Sequence, residues 1–281
     1  MFILILRYLK ILPWFSETIS PLFSHLGLPG EAALAYVTGY FVNVYAAISV
    51  AVACNLDIRS MTILAVMVLC SHNMITETAV QKKTGSSAIR IILIRTLSAF
   101  VLAFLLNHFM PGKAVDGVIK TLATESTFKE MLSAWGVATL TIIIKMSALI
   151  YLLAILQRIL SEFGVIKWIS KFLKPPLALF GLPAKTSFLW IVANILGLAY
   201  GAAVMIEEIN AGKVEKREID LLNTHISISH SNFEDLILFS SVGGIWYVLL
   251  LTRWAGSFVL VWGQRLEYYL FSNKKQKEDN I

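Results

Sequence analysis

The sequence predicts an all-α, polytopic transmembrane helical bundle made of two pseudo-symmetric repeats, each containing a broken or polar-centred helix. Three observations predict it. The chain is 57% hydrophobic and only 15% charged, with a mean hydropathy of +0.72, whereas soluble domains carry about a quarter charged residues. Its apolar residues fall in blocks near the roughly 20 residues that cross a bilayer core as a helix. One polar pattern also occurs twice, as SHNMITE at 71–77 and SHSNFED at 229–235.

Taken in order, residues 1–110 form the first repeat. It opens on MFILILRYLKILPW, an apolar start broken by Arg7 and Lys10. No small-residue cleavage site follows, so a removable leader is not expected. Spans are expected at about 32–54, 61–80 and 91–110. Residues 111–136 form a loop and 137–157 a linker transmembrane helix. The second repeat, 158–266, opens on VIKWISKFLK. There Val165, Ile166, Ile169, Phe172 and Leu173 share one helical face and Lys167, Lys171 and Lys174 the other. That pattern predicts an interfacial helix over 165–174. Spans follow at about 187–206, 222–240 and 243–262, then a polar tail, 267–281. The segments 61–80 and 222–240 are apolar for only half their length, so each is either a crossing or a re-entrant helix.

The repeat rests on register. HLGLPGEAALAYV (25–37) aligns with LFGLPAKTSFLWI (179–191) at an offset of 154. From 71 onward the offset is 158, which places Ser71-His72 on Ser229-His230, Glu77 on Asp235 and Arg95 on Arg253. Apolar composition explains chance aliphatic matches but not polar positions in fixed register.

Basic residues lie in 1–30, 81–90 and 158–185, which favours the cytoplasmic side for these segments. The net charge of +6 is spread over loops and tails, fitting lipid headgroups and not nucleic acid. Cys54 and Cys70 are too few for a disulfide framework and read as buried apolar residues. The segment Glu207 to Asp220 reads as a solvated loop. Gly39-x-x-x-Asn43 and Gly197-x-x-x-Gly201 read as close-packing positions, and His25 and His108 as interfacial.

Arg95, Lys145 and Arg253 interrupt apolar spans, and Glu77, Glu234 and Asp235 belong to the repeated polar segments. A charge at mid-bilayer costs about 2.5–3.5 kcal/mol, so pairing is expected: Glu77 with Arg95, Asp235 with Arg253. On a continuous helix, Asn223, Ser227, His230 and Glu234 form one stripe and Ser231 lies above Asp235; His72 and Thr76, and Asn73 and Glu77, pair likewise. His225 extends the stripe but has no counterpart in the first copy. Three readings stay open. In a broken helix, Asn73 serves as N-cap and Ser231-x-x-Glu234 as a capping box, with half-helix ends holding a solute. In a metal site, His72, His230 and Glu234 are the candidate ligands, with Glu77 and Asp235 beside them. In the third, the polar residues are glue between helices.

The GLP turn before a helix, the SHxxxxE and SHSNFED segments and the membrane-embedded Arg resemble the nucleoside-recognition (Gate) domain family. That family includes spore maturation proteins A and B, with related modules in concentrative nucleoside transporters and in the membrane part of ferrous-iron transport protein B. The resemblance is strongest at Ser229 to Asp235 and weaker where Met74-Ile75-Thr76 replaces Asn232-Phe233-Glu234. It implies a multi-pass protein of the bacterial inner (cytoplasmic) membrane with a transport-like role.

The expected function is a transporter or gate for a small polar solute, nucleoside-like or anionic, at a site between the two copies. Ser71, His72, Asn73, Glu77, Ser229, His230, Ser231, Asn232, Glu234 and Asp235 would line it. The alternatives are a non-transporting scaffold and a divalent-metal permease. No phosphate loop, nucleophile elbow or cysteine–histidine zinc spacing is present, so no enzyme and no cofactor are expected. Expected partners are the bilayer and the solute, with homo-oligomerisation left open.

Overall fold

The structure, a computed structural model, describes residue 18, residues 20–112 and residues 128–278. The expected amphipathic start, most of the 111–136 loop and the end of the polar tail fall outside the described residues. The described residues are 81% helical. Among the described residues the helices that matter here are α1 (Ala32–Phe41), α2 (Val44–Ala53), α3 (Ile58–Ser71), α4 (Met74–Lys83), α5 (Ala88–Phe109), α6 (Phe128–Glu162), α7 (Val165–Phe172), α8 (Lys174–Leu179), α9 (Ser187–Ile195), α10 (Leu198–Asn210), α11 (Lys216–Ser229), α12 (Glu234–Ser241) and α13 (Trp246–Glu278).

Among the described residues, four stretches are long and apolar enough to cross a membrane: 58–83 (through the α3–α4 break), 88–109, 139–162 and 246–271. The protein is therefore a multi-pass membrane protein. Two spans expected to be continuous are not single helices. The 32–54 block breaks into α1 and α2 because Asn43 adopts an extended backbone and its side chain accepts the Ala46 N–H at 2.8 Å, starting a new helix. The 187–206 block breaks at Gly197, whose φ of +87° and ψ of 165° lie in a region open to glycine alone. Gly197 is thus a conformational residue and not a packing one. Gly39 does pack closely, since a Cβ there would come within 2.9 Å of Val68. Ten-residue α1 and α2 rise about 15 Å each, about half a bilayer core. The 222–240 block is broken too, into α11 and α12.

The Glu207–Asp220 segment is more ordered than a solvated loop. Its ends belong to α10 and α11, and Glu215 and Glu218 form a reciprocal capping box at the start of α11. In the short turn between, Lys213 donates to Glu208 at 2.8 Å, and this hydrogen bond raises the ammonium pKa.

The chain divides into two compact units. The first comprises residues 1–74, 96–156 and 234–250; the second comprises 75–95, 157–233 and 251–281. In the first, α1 packs on α2 and α3, and α12 packs on α3. Every residue of α3 from Arg59 to Ser71 is buried. Asp57 caps α3 by accepting the N–H groups of Arg59 and Ser60. Arg59 donates to Gly27 O and to Asn107 O and Oδ1, fastening the GLP turn. Most of α6 is exposed, as a lipid-facing helix must be.

In the second unit α9 packs on α7, α10 and α11 around Leu189, Trp190, Ile219, Leu222 and Ile226. Its GLP turn is fastened in a related way, Arg265 Nε donating to Gly181 O at 2.6 Å. The expected interfacial segment forms α7 and continues as α8 after Leu173. Helix starts recur at the offsets read from sequence: α3 at 58 and α11 at 216, α5 at 88 and α13 at 246, α2 at 44 and α10 at 198.

Candidate functional site at the helix breaks

Each unit contains one helix that stops inside its core at a histidine. In the first unit α3 ends at Ser71, and His72 follows with an extended backbone (φ −63°, ψ 160°). In the second, α11 ends at Ser229, and His230 follows alike (φ −74°, ψ 173°). The next residues, Asn73 and Ser231, both take the left-handed conformation at φ 51°. Their amides bond backward to another helix end: Asn73 N–H to Gly39 O at 3.0 Å, Ser231 N–H to Ala193 O at 3.4 Å. A left-handed residue satisfies the carbonyl-rich end of one helix while turning the chain out of it.

These breaks correct the continuous-helix reading. Residues before and after them do not share a face, so the stripes joining His230 to Glu234, Ser231 to Asp235, His72 to Thr76 and Asn73 to Glu77 do not exist. The Ser231-x-x-Glu234 capping box is also not formed as expected. Helix α12 begins at Glu234, which leaves Ser231 outside its cap. In place of the stripes, the carboxylates sit in the first turns of short helices, Glu77 in α4 and Glu234 and Asp235 in α12, where the helix N-terminal partial charge favours an anion.

Both histidines are buried and aimed the same way. His72 Nδ1 lies 3.0 Å from Val68 O, and His230 Nδ1 lies 2.7 Å from Ile226 O. A carbonyl oxygen only accepts, so Nδ1 carries the hydrogen in each ring. Nε2 then faces a carboxylate: His72 with Asp235 Oδ2 at 3.4 Å in the first unit, His230 with Glu77 Oε2 at 3.1 Å in the second. An imidazole nitrogen facing a carboxylate oxygen is a geometry that can share one proton.

In the first unit Ser71 Oγ donates to Met67 O at 2.8 Å and meets the Tyr36 hydroxyl at 3.2 Å. The Tyr45 hydroxyl donates to Glu234. The Lys145 ammonium, exposed on α6, reaches Ser241 O, the C-terminal end of α12, where a cation is favoured.

In the second unit Arg95, fully buried, pairs with Glu77 at 2.7 Å as expected. Arg253 lies at the second break, where its planar fork donates to Ile228 O at 2.6 Å, His230 O at 2.5 Å and Asn232 Oδ1 at 3.0 Å. It thereby takes up carbonyls that the end of α11 leaves open. Asn232 bridges from there to Asn194 Oδ1 and Ser229 O, both at 2.7 Å, and Phe233 N–H donates to Asn194 O at 3.3 Å. Ser229 Oγ lies 2.8 Å from His225 Nδ1, which also accepts from Trp190 Nε1 at 3.2 Å.

Sequence reasoning missed Tyr45, Tyr36, Asn194 and the buried role of His225. Asn194 carried a readable signal, an amide inside the apolar run SFLWIVANI. The tyrosines carried none, since they are common in apolar spans.

The family model described as "Nucleoside recognition" and named Gate matches residues 1–123, the half in which the motif departs further from SHSNFED. A relative, the "Uncharacterized membrane protein YvoD" of Bacillus subtilis (strain 168), is 31% identical over 253 residues, spanning 88% of this chain and 81% of the relative. No solved structure matches. Buried histidine–carboxylate contacts at helix breaks in a multi-pass helical membrane protein accord with these likenesses, and the chain belongs to the nucleoside-recognition (Gate) family.

Proposed function

We propose that the protein carries or gates a small polar solute, nucleoside-like or anionic, across the cytoplasmic membrane of a bacterium, using two copies of one unit. The observation that carries this reading is the pair of helix breaks, each holding a buried histidine Nε2 against a carboxylate in a geometry that can share one proton. A proton that can sit on either partner is a means of coupling. Binding that alters the distance between ring and carboxylate moves it. Asn73, Ser231, Asn232 and Glu234 are only half-buried and offer donors and acceptors suited to sugar hydroxyls and base edges. The family description supports nucleoside chemistry.

The test is a thermal-shift series on detergent-purified protein with nucleosides, small anions and divalent metals. The double variant His72→Ala/His230→Ala runs alongside. A bound ligand at 100 times its Kd stabilises by about 2.7 kcal/mol. The expected result is stabilisation by one ligand class, lost in the double variant. No response to any class, with a variant that melts far earlier, would leave a structural polar core. That second reading has its own support in Arg253, which donates to three oxygens of its own helix break.

A further inference from the structure

Away from the histidines, the second unit contains another buried polar network, and its polarity is one-sided. It joins the α4–α5 turn to α11 and α13. Gln81 Nε2 donates to Asn223 O at 3.0 Å. Asn223 Nδ2 donates to Thr84 Oγ1 at 2.7 Å and Ser86 Oγ at 2.9 Å. Ser86 Oγ donates to Asp220 Oδ1 at 2.5 Å. Asp220 Oδ2 accepts from Gln264 Nε2 at 2.7 Å and from the Tyr268 hydroxyl at 2.6 Å.

Every carboxamide nitrogen here is used and every carboxamide oxygen is left over. Gln81 Oε1, Asn223 Oδ1 and Gln264 Oε1 are all buried without a hydrogen-bond partner, on residues 1%, 0% and 2% exposed. Buried acceptors without donors are rare, and each costs about 1–3 kcal/mol. Asp220 adds a carboxylate whose described partners are neutral. The guanidinium groups of this region are engaged elsewhere, Arg90 with Glu267 at 2.6 Å and Arg217 over the Tyr268 ring at 4.3 Å. No described donor reaches any of these oxygens, and a cation bound among them would serve as their partner beside the carboxylate.

The geometry points to an alkali-cation site at this cluster, taking Na⁺ through the oxygens of Gln81, Asn223 and Gln264 with Asp220 balancing the charge. An all-oxygen donor set calls for a hard cation. One carboxylate among neutral oxygens matches a single positive charge, whereas divalent sites gather several carboxylates. The site lies on groups separate from the histidine–carboxylate contacts and does not depend on the solute reading. By holding residues of 81–86, 220–223 and 264 at once, the ion ties together the three chain segments of which this unit consists.

The experiment uses purified full-length protein exchanged into choline chloride. Melting is followed as NaCl replaces choline at constant ionic strength, and retention of radioactive ²²Na⁺ is counted in parallel. The expected result is a saturable rise in Tm with Na⁺ and about one ²²Na⁺ per chain, displaced by unlabelled Na⁺ and not by choline. Asp220→Asn keeps the side-chain size and removes the charge, so it should abolish both signals. If that variant does not fold, the wild-type ²²Na⁺ count still decides. Equal melting in Na⁺ and choline with no retained ²²Na⁺ overturns the proposal, and so does a response to Ca²⁺ alone.

Discussion

Both helix breaks use a histidine, a left-handed backbone position after it and an Nε2 aimed at a carboxylate, yet they are built differently. At His230 the carboxylate is shared: Glu77 Oε2 meets both the imidazole and the fully buried Arg95, and Arg253 fills the open carbonyls of α11. At His72 the histidine–carboxylate contact is longer, 3.4 Å against 3.1 Å, and hydroxyls lie nearby, Tyr45 donating to Glu234 and Tyr36 meeting Ser71 Oγ. The difference teaches that one motif can be set in a frame rich in guanidinium charge or in one bordered by hydroxyls.

Breaking the charge-rich frame should have the largest effect. Arg95→Ala leaves Glu77 buried without its guanidinium, and removal of one partner of a buried pair costs about 3–5 kcal/mol. Arg95→Ala should therefore abolish a cooperative melt in detergent, and Glu77→Gln added to it should restore part of the stability. A double variant no better than the single one would refute the pairing. Next is Arg253→Lys. An ammonium cannot reproduce a planar fork, so most of three charge-assisted bonds is lost, at roughly 1.5–3 kcal/mol each before relaxation. A melt unchanged from wild type would show that the frame is not held by Arg253.

The same contrast runs through the two apolar blocks, one broken at Gly197 and the other at Asn43. Gly197→Ala forces a Cβ into a glycine-only conformation and should cost about 1–3 kcal/mol. Asn43→Ala removes one N-cap bond and should cost about 1 kcal/mol. Reversal of that order in chemical denaturation would mean that the cap, and not the backbone, sets the breaks. Smallest of all is Arg158→Ala. Its exposed partner Glu162 lies one turn away, and loss of the pair should change stability by no more than about 0.3–0.5 kcal/mol.

Much of this was legible in the sequence because it depends on local chemistry. Hydropathy marks the long crossings at 88–109 and 246–271 without knowledge of neighbours, and SHN and SHS announce a break because they are too polar to continue an apolar helix. Glu77 found Arg95 because an unpaired charge in lipid is prohibitive. The breaks at Asn43 and Gly197 were hidden because neither residue lowers hydropathy enough to interrupt an apolar window. The expected i, i+4 stripes failed because that rule assumes an unbroken helix. The bonds of Arg253 to the end of α11 were hidden because a guanidinium donates to backbone carbonyls as readily as to carboxylates, and only the fold decides which it meets. The partner of each histidine was hidden most deeply. His72 is met from 163 residues away and His230 from 153 residues away, and no local pattern encodes such distances.

The division of the chain has a consequence for how it is made. The first unit includes residues 234–250 and the second includes 75–95, so each contains a piece of the other half of the sequence. During vectorial synthesis α1 to α3 emerge early, but their unit lacks α12, and with it Asp235, until most of the chain has been translated. The early helices are therefore made before the carboxylate that His72 meets. For the same reason, splitting the gene between residues 156 and 157 would not yield two autonomous folds. The two fragments would be complementary, each supplying the segment that completes the other.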